Sequence, residues 1–258
     1  ETSNKINIGL DAGLLDNRIS LTGDFFRNDI NNLILAVPTP PSLGVPGNQV
    51  YQNIGEMYNQ GWEFSINADV IENDNFRWTS SVNATFVRNR IVRLVDGNDV
   101  TFTYHINREG HPIGSFYGYV YKGVNAANGN PIYEKADGQL VQQVVGTSSF
   151  RVYDPANPED VSQSAAALGP SDKRILGEGN PTWFGGFNNT LYYKGFDLNI
   201  FLTFSGGNKV YNVTRQEALN NQYFANSGRE LLNRWTTPGQ RTDVPRLYYG
   251  ADNQVNQV

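Results

Sequence analysis

No cysteine occurs in the chain, which excludes disulfide scaffolds, thiolate zinc sites and cysteine nucleophiles together. Compartment stays open, because an oxidising space permits disulfides without requiring them. Long apolar runs are missing as well. The longest in the front half, Leu33 to Val37, is ended by Pro38, Pro40 and Pro41, far short of the ~18–20 residues that a transmembrane helix needs. Helical membrane spans are therefore excluded, whereas a membrane β-barrel is not, since alternating strands average to an ordinary hydropathy. Charge is sparse: Asp, Glu, Lys and Arg make up 17% of the 258 residues, against a usual ~25%. The net charge of −5 argues against a nucleic-acid binder, which needs a basic stripe to displace counterions from phosphate. What fills the gap is 26 Gly, 14 Tyr, 14 Phe and much Asn, and so many aromatics argue against a disordered chain. The sequence opens Glu1-Thr2-Ser3-Asn4, without a basic or apolar leader. It reads either as a chain whose signal peptide has been removed or as an internal piece of a longer one.

The dominant positive signal has period two, the spacing of a strand with two unlike faces. Ile6, Ile8, Leu10, Ala12 and Leu14 alternate with Asn7, Gly9, Asp11 and Gly13. Asp16-Asn17 reads as a tight turn, after which Ile19, Leu21 and Phe25 oppose Ser20, Thr22 and Asp24. A second hairpin sets Trp62, Phe64, Ile66, Ala68 and Val70 against Glu63, Ser65, Asn67 and Asp69. It turns at Glu72-Asn73-Asp74-Asn75, where Asn and Asp tolerate left-handed backbone. It returns with Trp78, Ser80, Val82, Ala84 and Phe86 in phase. A third runs from Phe187, Asn189 and Leu191 through Tyr193-Lys194-Gly195 into Phe196, Leu198, Ile200, Leu202 and Phe204.

About six long strands thus share one design, with short turns at one end and long connections (29–60, 94–181, 212–258) at the other. Outer-membrane barrels have this asymmetry, with the long loops extracellular. Ile19, Leu21, Phe64, Ile66, Leu198 and Ile200 are then expected to face lipid, and Trp62, Trp78 and Trp183, read as lying at strand ends, to form an aromatic girdle. A soluble antiparallel sandwich also alternates, but its strands and loops are usually shorter. A soluble Asn/Tyr-rich glycan-binding β-protein remains the alternative, with a small self-contained barrel enzyme or porin as a further rival. In the third connection, Thr214 to Trp235 predicts a short helix or helical pair ended by Pro238-Gly239.

Catalytic chemistry is thin. His105 and His111 lie in a Gly- and Tyr-rich connection without partners at ligand spacing. Asp96-Gly97-Asn98-Asp99 lacks the continuing spacing and terminal Glu of a calcium loop. No glycine-rich phosphate loop occurs, and the Asn-x-Thr triplets at Asn83, Asn188 and Asn212 read as chance in an Asn-rich chain. No catalytic residue, metal or cofactor is expected. Ligand contact falls instead to the loop aromatics Tyr51, Tyr58, Tyr104, Phe116, Tyr117, Tyr119 and Tyr121, whose faces stack on sugars or peptide side chains. The competing role for these rings is to pack the loops themselves.

Several ordered motifs carry a family resemblance. Asn53-Ile54-Gly55-Glu56-Met57-Tyr58-Asn59-Gln60-Gly61-Trp62-Glu63 resembles the N-x-G-x-x-x-N-x-G-x-E signature of SusC/RagA-type TonB-dependent outer-membrane transporters. Gly110-His111-Pro112-Ile113-Gly114-Ser115-Phe116-Tyr117-Gly118-Tyr119 is similar to that family's G-x-P-x-G-x-F-Y-G-Y segment. Asn7 to Asp11, Asp24-Phe25-Phe26, Gly179-Asn180-Pro181, Tyr193 to Leu198 and Gly206 to Asn212 follow the family's order. The resemblance implies an all-β, antiparallel transmembrane barrel of about 22 strands, of which residues 1–258 are expected to be an interior part lacking the plug and N-terminal domains. It implies no enzyme but TonB-coupled import of oligosaccharides or peptides across a bacterial outer membrane. The implied partners are a SusD-like surface lipoprotein, the TonB complex acting through the plug, and outer-membrane lipid, with no nucleic acid.

Overall fold

The computed structural model describes residues 1–53, 55–94, 97–219 and 226–247. The chain divides into two compact units, one of residues 1–116 and 177–209, the other of 117–176 and 210–258. In the first unit the strands are β1 (Thr2–Leu14), β2 (Ile19–Asn31), β3 (Ile34–Pro38), β4 (Gln49–Asn53), β5 (Gly55–Glu72), β6 (Phe76–Leu94), β7 (Val100–Thr101) and β8 (His105–Asn107). The second unit contributes β10 (Val120–Val124), β11 (Pro131–Glu134), β12 (Leu140–Gln143), β13 (Phe150–Val152) and β14 (Ser164–Ala165). β9 (Ser115–Gly118) and β15 (Arg174–Gly177) lie where the chain passes between units. β16 (Trp183–Tyr193) and β17 (Phe196–Gly206) return to the first, and α1 (Val213–Leu219) follows.

The first unit is built on a six-stranded antiparallel sheet ordered β1-β2-β5-β6-β16-β17. Its three hairpins are those read from the alternation. Register stacks like with like across the whole sheet. One row runs Ala12, Leu21, Ile66, Val82, Phe187, Leu202, and the next is Leu10, Gly23, Phe64, Ala84, Gly185, Phe204. The opposite face carries Asp11, Thr22, Ser65, Asn83, Gly186 and Thr203 in one row. Polar groups there bond across strands, with Thr22 Oγ1 donating to Asp11 at 2.7 Å and Asn199 Nδ2 to Thr190 at 2.9 Å. The apolar face is left bare: Phe64 is 46% exposed, Leu198 55% and Ile200 44%, with Ile66 also exposed. Ile19 and Leu21 lie on the same face and are half-buried by their neighbours.

The turns explain the hairpin ends. Lys194 and Gly195 both have positive φ, the geometry whose twist matches that of the flanking strands. Leu15, Asp16 and Asn17 all take left-handed backbone, which Asp and Asn accept more readily than most residues. A bulge between Asp69 and Ile71 interrupts the β5–β6 ladder, and Arg18 donates to the carbonyls of Asp69 and Val70 there.

The long strands extend well past the predicted ends. β5 begins at Gly55, so the first long connection is shorter than 29–60, and Tyr58 and Trp62 lie inside a strand. Trp78 and Trp183 do lie near strand ends. At ~3.4 Å per residue the 18 residues of β5 span about 60 Å, which is more than a membrane requires even when tilted. Gly61 of the motif sits beneath a ring: an added Cβ would meet the Phe86 carbonyl and lie 2.8 Å from Phe26. Ile54 of that motif lies outside the described residues.

The second unit packs a meander, β10-β11-β12-β13-β14, with Ile132, Tyr133 and Val141 buried. Leu219, Leu231 and Val244 form a separate apolar cluster. Buried Gln142 Oε1 accepts from Asn125, Asn128 and Asn130 at 2.9, 3.0 and 3.1 Å. Each Asn oxygen in turn accepts a backbone N–H, of Ala127, Asn130 and Val145, so this polar knot is internally satisfied. Gly129 has a φ of 78° and lies under the Trp235 ring, where a Cβ would come within 2.5 Å. The helical expectation for 214–235 is met by α1 and a 3₁₀ turn at Arg229–Asn233. Residues 220–225 lie outside the described set.

Candidate functional site

On the polar face of the sheet, the strands and the connections beside them enclose a recess of about 520 Å³. Met57, Val87, Ile113 and Phe184 give it apolar wall, and Asn59, Asn89, Glu178 and Asn180 give it polar groups. The wall is fixed by a relay. Asn89 Nδ2 donates to Asn59 at 2.7 Å, and the Asn89 oxygen accepts the Ile113 N–H at 2.7 Å. Ladder-like bonds between Ile91 and the Gly110–His111 backbone hold the same segment against β6. Gly114 N–H donates to Asn107 and the Ser115 hydroxyl to the Pro112 carbonyl. Asn59 and the Pro112–Gly114 turn, known from sequence only as motif letters, thus shape one surface. Asn89 was not singled out by any motif, although it lies in phase with Asn83, Thr85 and Val87 along β6. A smaller recess of about 250 Å³ near the short turns is lined by Ser20, Asn67, Ser81 and Asn188 among others.

The expected loop aromatics are divided between the units. Tyr51 is 75% exposed on β4. Tyr58 lies beneath the Arg27 guanidinium at 4.4 Å, Tyr104 is half-buried, and Phe116 tilts against His105 with centroids 4.7 Å apart. In the second unit Lys173 Nζ stands 5.9 Å from the Tyr117 ring and 5.5 Å from that of Tyr119, an arrangement favoured by the negative ring faces. Burial pushes the Tyr119 phenol up, with Asp172 and Tyr117 adding to the shift. Tyr121 donates to the Asp243 carbonyl at 2.7 Å and meets Tyr133 edge-on. Burial raises both phenols, that of Tyr133 to about 12. Hydrogen bonds from Lys122 and Arg174 hold Glu134 below the usual carboxylate range, and the Gly169 and Ala136 N–H groups do the same for Asp172.

Among the described residues no three His, Asp or Glu side chains converge as a metal site. Asp99 accepts a bidentate contact from Arg108, and Asp96 lies outside the described residues. The arrangement offers hydrogen bonding, stacking and an amphipathic wall.

The family described as TonB dependent receptor-like, beta-barrel matches residues 1–132. The chain belongs to the TonB-dependent receptor β-barrel family. It resembles the SusC and RagA members of that family, and the barrel is an outer-membrane one. TonB-dependent receptor P3 of Formosa agariphila is 36% identical over 258 residues, 95% of this chain and 24% of that protein. TonB-dependent receptor SusC of Bacteroides thetaiotaomicron is 27% identical, covering 88% of this chain and 22% of the relative. The structure described as the RagAB peptide transporter superposes with a TM-score of 0.76 at 26% identity, over 95% of this chain and 26% of that one. The chain therefore spans about a quarter of the length of the curated relatives it matches.

Proposed function

We propose that this chain forms part of the barrel wall and extracellular loops of a TonB-coupled nutrient importer, the plug and N-terminal domains belonging to the rest of the polypeptide. The observation that carries this reading is the two-faced sheet. A continuous outward apolar surface suits lipid, while the inward side holds a recess combining aliphatic wall with Asn and Glu groups. Such a mixture receives peptide backbone and side chains together, and one structural relative is itself described as a peptide importer. Oligosaccharide import is the second reading, favoured by the exposed Tyr51 and by the Tyr117–Lys173–Tyr119 cluster. A SusD-like lipoprotein covers the long loops, and the TonB complex drives release through the plug.

The test is uptake of labelled peptide and oligosaccharide mixtures by cells carrying the complete receptor with its lipoprotein. Expected is energy-dependent entry of one class, reduced severalfold by the double substitution Asn89→Ala, Phe184→Ala. Entry of neither class, or entry unaffected by removing TonB, would overturn the proposal.

A further inference from the structure

We propose that Arg88 and Arg90 form an outward-facing site for the phosphorylated headgroup of outer-leaflet lipid. The inference rests on the outer-membrane barrel reading and begins with a change of chemistry along one face. Following the outward phase of the sheet, the register row Ile8, Phe25, Trp62, Phe86, Trp183 is the last wholly apolar one. Phe25 and Trp62 pack at 5.1 Å, as an aromatic girdle at the lipid boundary does. The next row toward the long connections is Ile6, Arg27, Gln60, Arg88, and the one after it Asn4, Asp29, Tyr58, Arg90.

Height places these rows. Each row is two residues along the strand, or ~7 Å, which becomes ~5 Å vertically at a tilt of 35–45°. Arg88 is therefore ~5 Å and Arg90 ~10 Å beyond the girdle, and the headgroup layer occupies roughly 5–7 Å on each side of the hydrocarbon. Arg88 lies within that layer, and Arg90 can reach back into it.

Pairing separates these two arginines from their neighbours. Arg27 is engaged by Asp29 in a bidentate contact at 2.8–3.1 Å and donates to Gln60 at 3.0 Å. Arg93 is held by Glu56 at 2.5 Å. Arg88 is exposed and Arg90 half-exposed, and among the described residues neither has a carboxylate within ion-pair reach. The patch thus has two arginines in excess on a face continuous with the lipid surface. Guanidinium groups bind phosphate through paired N–H donors, and phosphate is the anion that a lipid headgroup presents at this height.

The experiment uses the complete receptor in phosphatidylcholine nanodiscs doped with monophosphoryl lipid A or with its dephosphorylated counterpart, counting retained glycolipid by native mass spectrometry. The wild type is expected to retain the phosphorylated form preferentially. Arg88→Gln and Arg90→Gln should each weaken retention about fivefold, and the double variant about thirtyfold. Equal retention of the two glycolipids, or a double variant that behaves as wild type, overturns the site. Loss of the lipoprotein partner with unchanged lipid retention also overturns it, assigning the patch to a protein. A nitroxide at Phe64→Cys keeps the two readings separate. Protection from a water-soluble nickel chelate, together with relaxation by oxygen, places that face in lipid, so a null double variant would sink the headgroup site alone. A nitroxide relaxed by the water-soluble agent would instead sink the barrel orientation.

Discussion

Ile66 lies in the middle of the apolar face, and an arginine there tests the orientation of the whole sheet. It pairs with Leu21 on one side and Val82 on the other, and the same row continues to Phe187 and Leu202. From Trp62 it is four residues down the strand, about 14 Å along it and about 10 Å in depth at a 40° tilt. Phe86 and Trp78 bound the apolar band on β6 and lie eight steps apart, about 27 Å along the strand and about 21 Å in depth, so Ile66 falls close to its centre. Arginine at a barrel midplane costs about 2–4 kcal/mol, whereas near the interface the cost falls to about 0–1 kcal/mol. Ile66→Arg should therefore lower the folding equilibrium in lipid by about thirtyfold to nine-hundredfold, a larger effect than Gln60→Arg above the girdle or Ser65→Arg on the lumen face. Urea titration of the complete barrel in phosphatidylcholine vesicles measures the difference. A ranking in which Ser65→Arg is the worst of the three, or in which all three are equal, would refute the assignment of faces.

Three further outcomes follow from local contacts. Trp78→Phe should cost about 1–3 kcal/mol, because the indole N–H donates to Asn189 at 3.0 Å and its loss strands a buried amide; Trp78→Phe combined with Asn189→Leu should recover most of that in the same titration. Asn89→Ala removes the partner of the Ile113 N–H, so hydrogen exchange should lose protection at residues 113–115 while β16 stays protected. Tyr133 keeps its proton to about 12 when folded, against about 10 unfolded. The stability it contributes is complete below pH ~10 and is lost as pH rises toward 12, by about 2–3 kcal/mol, which ultraviolet titration of phenolate against Tyr133→Phe resolves.

The hairpins were legible because lipid and lumen impose opposite chemistry on successive residues, leaving period two in the letters from Ile6 to Leu14 and from Trp62 to Ala68. Strand ends were not legible. Above Trp62 the outward phase continues as Gln60, Tyr58 and Glu56, which in water or headgroups need not be apolar, while the backbone ladder runs on regardless. The alternation thus records the immersed part of a strand and not its length. The five short strands of the second unit, none longer than five residues, carry too few turns of the period to register. Their core depends on Gln142 gathering three asparagines, a long-range arrangement that no spacing displays. The recess was hidden for a similar reason, since Asn59, Asn89 and Ile113 meet only after β5, β6 and the following loop are laid together.

Asn189 shows how far a single side chain may depart from the pattern without breaking it. It belongs to the apolar phase of β16, beside Ser80 on β6 and Ile200 on β17. An amide in hydrocarbon without a partner would cost several kcal/mol. Here it is 9% exposed and its oxygen accepts the Trp78 indole proton. The row lies one step inside the lower rim, where an indole keeps its ring in the apolar band and its N–H toward polar groups. The same reasoning read outward past the upper rim accounts for Arg27, which no longer needs lipid compatibility but still finds Asp29, Gln60 and the Tyr58 ring. Within the hydrocarbon a polar group must bring its partner with it. Beyond the girdle it can take one from the headgroups, and Arg88 and Arg90 are placed to do so.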